Sequence, residues 1–157
     1  MGDYDLWDTP LTCAYMLWRF TKAFESKKGS GPNLLLAFPA LTILMTPELS
    51  APLSSKGVFT ISDYAFHFIE KCDTTLAQLQ ELILEKRELV RLSISVSIAS
   101  ALLVITKNGE LHANAGPTRS SKATKFRESC EQPTKRLGEM FASTPPEKIG
   151  YYLGVNF

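Results

Sequence analysis

The chain has 157 residues, 45% of them hydrophobic and 21% charged, with 17 basic against 16 acidic side chains. That is the length of one ordinary domain with its own core, and the composition excludes a disordered tail or a uniformly basic nucleic-acid coat. The near balance of charge names no class of partner.

Asp8-Thr9-Pro10 announces the first helix, a cap residue followed by proline at the first helical position. It should run to about Glu25, with Leu11, Ala14, Tyr15, Leu17, Trp18, Thr21 and Phe24 as its apolar stripe. Ser26 to Pro32 then reads as an exposed, flexible loop. Leu34 to Met45 is apolar on every side and so buried on every side, with Pro39 kinking or splitting it. Thr46-Pro47-Glu48 restarts a short helix or turn, and Ser50 to Lys56 reads as loop.

Ser62-Asp63 is expected to cap a helix through Lys71 that buries Tyr64, Ala65, Phe68 and Ile69. Asp73-Thr74-Thr75 caps the next, in which Leu76, Leu79, Leu82, Ile83 and Leu89 face inward. A separate helix is expected over 94–101, although its alternation also suits a strand. Leu102 to Thr106 and Glu110 to Ala113 flank Lys107-Asn108-Gly109, and Asn-Gly predicts a type I′ hairpin with positive φ at both residues. Thr118 to Gln132 is polar, Pro133 to Ala142 is helical, and a last short helix holding Ile149, Tyr151, Tyr152 and Leu153 ends at Gly154.

The fold class expected is mainly α: a helical domain with a winged-helix-like unit and one short β-hairpin at about residues 102–113. It forms a single domain over residues 1–157. Within it lie a helical core (8–101), the hairpin (102–114), a basic linker (116–132) and C-terminal helices (133–154).

Catalysis needs a nucleophile, a base and a group to orient the base. His67 and His112 are the only histidines, and neither has an acidic residue at a spacing that makes an obvious pair. Cys13, Cys72 and Cys130 lie 59 and 58 residues apart, which builds no zinc knuckle and no redox pair, and suits buried thiols in a reducing compartment. Lys28-Gly29-Ser30-Gly31-Pro32 holds glycine and lysine in the wrong order for a phosphate loop. The reading is therefore no enzyme, no metal and no cofactor. The two apolar runs, Asn33–Met45 and Leu92–Ile105, fall short of the roughly 20 residues a bilayer requires, and the acidic start lacks the order of a secretion signal. A soluble, cytoplasmic protein with no membrane partner is expected.

Two surfaces are candidates for contact. Arg119, Lys122, Lys125, Arg127, Lys135 and Arg136 stand against Glu128 and Glu131, a local excess of +4 that either meets phosphates or forms a solvated loop. Tyr151, Tyr152, Val155 and Phe157 form either a partner interface or a segment docked on its own core. The helix before the hairpin is small, apolar and uncharged, better suited to protein than to base edges. A winged-helix DNA-binding transcription regulator is the alternative.

Three patches resemble a family. They are Thr9-Pro10-Leu11-Thr12-Cys13-Ala14-Tyr15-Met16-Leu17; Gly31-Pro32 followed by Leu36-Ala37-Phe38-Pro39-Ala40-Leu41; and Leu137-Gly138, Phe141-Ala142 with Ile149-Gly150-Tyr151-Tyr152-Leu153-Gly154-Val155. Together they are similar to the middle component of the ABC three-component, Lamassu-like bacterial defence systems. Thr9 stands where the family usually has asparagine, and Asn156-Phe157 replaces a terminal proline. The resemblance implies a non-catalytic adaptor that bridges an SMC-like ABC ATPase and a nuclease-type effector against phage or plasmids. Double-stranded DNA would then be reached through the complex.

Overall fold

The computed structural model describes residues 9–55, 57–115 and 124–156, the side chains of 124–129 excepted. Helix α1 (Pro10–Lys28) is the central element. Thr9 caps it, its hydroxyl accepting from the Thr12 N–H at 3.2 Å, and Pro10 occupies the first helical position. Gly29, at φ 87°, ends it by donating to Glu25 O. Cys13, Ala14, Met16, Leu17, Trp18, Phe20, Thr21 and Phe24 are buried, which takes in more than half of the circumference. Leu11 was expected in that stripe and is 68% exposed, because it lies in the first turn, beyond the cover of the neighbouring elements.

Two helices close on α1. Helix α6 (Thr124–Ala142) crosses it at Gly138, where a Cβ would stand 2.7 Å from Phe20 O and 2.9 Å from the Ala23 Cβ. Phe141 meets Phe20 edge-on at 5.5 Å, and Arg19 pairs with Glu131 at 2.8 Å. Helix α5 (Leu79–Ala99) packs through Val90, Ser93 and Ser97. The two serine hydroxyls return to Leu89 O and Ser93 O at 2.6 and 2.7 Å, so small side chains go inside with their polar atoms satisfied.

Pro39 lies in the first turn of α2 (Ala37–Met45), behind a 3-10 turn at Leu34–Leu36, which is the split expected of it. All but one of the α2 residues are buried, the exception being Phe38, which is partly buried. A one-turn helix α3 (Pro47–Ser50) and a 3-10 turn at Ala51–Ser54 follow, where loop was expected from Ser50 onward. Helix α4 (Ile61–Glu70) is capped by Thr60, not by Ser62-Asp63: Asp63 is the third helical residue and closes a capping box with Thr60. Its inner face is Ile61, Tyr64, Ala65 and Phe68; the Tyr64 hydroxyl donates to Leu49 O at 2.6 Å.

The separate helix expected over 94–101 does not exist as such, for α5 runs unbroken through 21 residues. Nothing between Leu89 and Ile94 is a breaker, and the serines that suggested alternation bond to the turn before them. Ala101, at φ 58°, ends the helix, and Leu102 N–H reaches back to Ser97 O. Strands β1 (Leu103–Ile105) and β2 (Leu111–Ala113) then pair antiparallel with Val104 opposite His112. The turn is not type I′: Gly109 has φ 76° while Asn108 is not among the positive-φ residues. Thr106 O accepts from Gly109 N–H and Thr106 N–H donates to Glu110 O, the pattern of a type I turn followed by a left-handed glycine.

The segment after α1 is not a free loop either. Pro32 is buried, Pro32 O accepts from Leu111 N–H, Asn33 bridges Glu110, and Leu34 N–H donates to Gly109 O. A Cβ on Gly31 would fall 1.6 Å from Leu111 O, so only glycine fits. The expected basic linker over 116–132 is helical from Thr124 onward. Pro133, read as a helix start, lies inside α6, and the burial of Cys130, Thr134, Leu137, Met140 and Phe141 on both sides of it holds the helix together. Helix α7 (Pro146–Leu153) ends at Gly154, φ 69°, as expected. Among the described residues the buried side chains form one contiguous cluster, and the mainly α fold with a two-stranded hairpin is as expected.

Candidate functional site

The chemistry-bearing side chains divide into those that hold the fold and those that face solvent. His112 does have a carboxylate partner, which sequence spacing did not indicate: its Nδ1 lies 2.9 Å from Glu25 Oε2, across 87 residues. The other oxygen of Glu25 accepts the Ala113 N–H at 2.6 Å. His112 is half exposed and both carboxylate oxygens are taken up by β2, so the pair fastens the hairpin to α1. Trp18 adds a second tie, its indole N–H donating to Asn114 O at 3.0 Å. His67 stands edge-on to Phe68 at 5.7 Å. Cys13 Sγ lies 3.2 Å from Met45 Sδ in the core, Cys130 is buried and Cys72 is exposed.

Among the described residues, two groups are held away from their ordinary titration ranges. Burial pushes the Tyr64 phenol up. Hydrogen bonds from the Thr75 hydroxyl (2.6 Å) and N–H (2.9 Å) hold the exposed Asp73 carboxyl down. Both are structural contacts. Among the described residues no group of three or more His, Cys, Asp or Glu is arranged to hold a metal.

The basic candidates part company. Arg119 and Lys122 lie outside the described residues, and Lys125 and Arg127 stand on the first turns of α6, their side chains outside the description. Lys135 is exposed. Arg136 turns into a protein contact: Nη1 donates to Ser55 O at 2.6 Å and the guanidinium sits 5.7 Å over the Phe59 ring. The C-terminal candidates part too. Tyr151 and Tyr152 are 81% and 37% exposed, with rings edge-to-face at 5.5 Å. Val155 is no part of an open patch: it is 7% exposed because Gly154 turns the chain back and Val155 N–H donates to Gly150 O. Phe157 lies outside the described residues.

Sequence reasoning missed the outer side of α4. Ile69, expected in the core, is 70% exposed, and Phe59 and Phe66 are 68% and 56% exposed. The signal was available. Phe66 and Ile69 fall outside the Ile61–Tyr64–Ala65–Phe68 stripe, making the helix apolar over more surface than one core face uses. Leu84, Leu92 and Ile98 are likewise exposed along α5.

Among the described residues no single helix is long and apolar enough to cross a membrane; the pair Leu34–Met45 and Pro47–Ser54 passes by length and composition together but bends by 100°. Comparison with curated proteins and with solved structures found no match. A family model does match, over residues 3–157: the ABC-three component (ABC-3C) system Middle Component 3. The patches that suggested such a likeness hold structural positions here, with Cys13 in the core, Gly31 under β2, Gly138 at the α1–α6 crossing and Gly154 at a helix end. With a match that spans nearly its whole length, the chain belongs to the family of ABC-three component system middle components.

Proposed function

We propose that the protein is a non-catalytic adaptor in a prokaryotic antiviral or anti-plasmid defence complex of Lamassu-like type, acting in the cytoplasm. It bridges an SMC-like ABC ATPase and a nuclease-type effector, so that ATP turnover and DNA cleavage reside in the other components. Membership of the middle-component family carries this reading. The side chains support it: ionisable groups are spent on fastening elements together, as in Glu25–His112 and Arg19–Glu131, while aromatic residues such as Phe59, Phe66 and Tyr151 are turned outward.

Coexpression with the proteins encoded beside it, followed by size exclusion and mass determination, tests the proposal. A stable complex should form, and the isolated chain should hydrolyse neither ATP nor DNA. Absence of any complex, or turnover by the isolated chain, would sink it. High-affinity, strongly salt-dependent binding of a specific duplex by the isolated chain would favour a transcription regulator instead.

A further inference from the structure

We draw no further inference here: the strongest candidate, the outer stripe of α5 that runs from Leu84 past Leu92 to Ile98, is an unpartnered apolar face whose intervening charges, Glu88 and Arg91, already pair with each other, and nothing in the structure shows what covers it.

Discussion

At the scale of single residues, the decisive positions are those where backbone geometry or burial leaves no alternative. Gly138 stands at an exposed-helix composition but a closed crossing. Helix propensity alone would have Gly138→Ala stabilise by about 1 kcal/mol. The Cβ, however, would stand 2.7 Å from Phe20 O, a backbone atom that cannot swing aside. Denaturant unfolding of Gly138→Ala should therefore show a loss near the upper end of overpacking costs, about 3 kcal/mol. Tyr64→Phe removes the donor to Leu49 O and should cost roughly 1–2 kcal/mol. The same substitution tests the titration. Because the folded phenol ionises above its unfolded value near 10, stability is intact below about pH 10 and falls as pH rises beyond it. Tyr64→Phe should flatten that alkaline limb in unfolding measured from pH 8 to 11.

At the scale of elements, ends and junctions decide more than interiors. Helix α5 ends on a non-glycine residue in the left-handed region, which costs about 1–2 kcal/mol at Ala101. Ala101→Gly keeps the Leu102–Ser97 bond and should raise stability by roughly 1 kcal/mol, read as a higher melting temperature. The unbroken course of α5 also explains why its sequence misleads. Residues 93–101 alternate serine with aliphatics, the period of a strand, yet each buried hydroxyl bonds to the preceding turn and the small side chains let α1 and α2 come close. Helix α6 misleads in the opposite sense: a polar run and an interior proline hide a helix whose buried face spans the proline.

At the scale of the whole molecule, the hairpin and α1 are joined by contacts far apart in sequence. Glu25 holds both His112 and the Ala113 N–H, and Gly31 lets residues 32–34 lie along β2. Glu25→Ala should free the hairpin, with faster hydrogen exchange at Ala113 and a stability loss of about 1–3 kcal/mol. Glu25→Gln retains an oxygen for the Ala113 N–H and should lose less. Equal exchange rates in the two variants would show that the carboxylate charge, not its geometry, makes the tie.

How much could be read before folding follows from range. Thr9-Pro10, Pro39, Asn108-Gly109 and Gly154 act on their immediate neighbours, so helix starts, a split, a hairpin and a stop were legible from order alone. Family kinship was legible too, since the resemblance read along the chain agrees with the family match over residues 3–157. The His112–Glu25 pair, the docking of Gly31, the inward turn of Val155 and the outward turn of Ile69 were not. Each depends on which element covers which, and a side chain's neighbours across 80 residues are fixed only when helices pack.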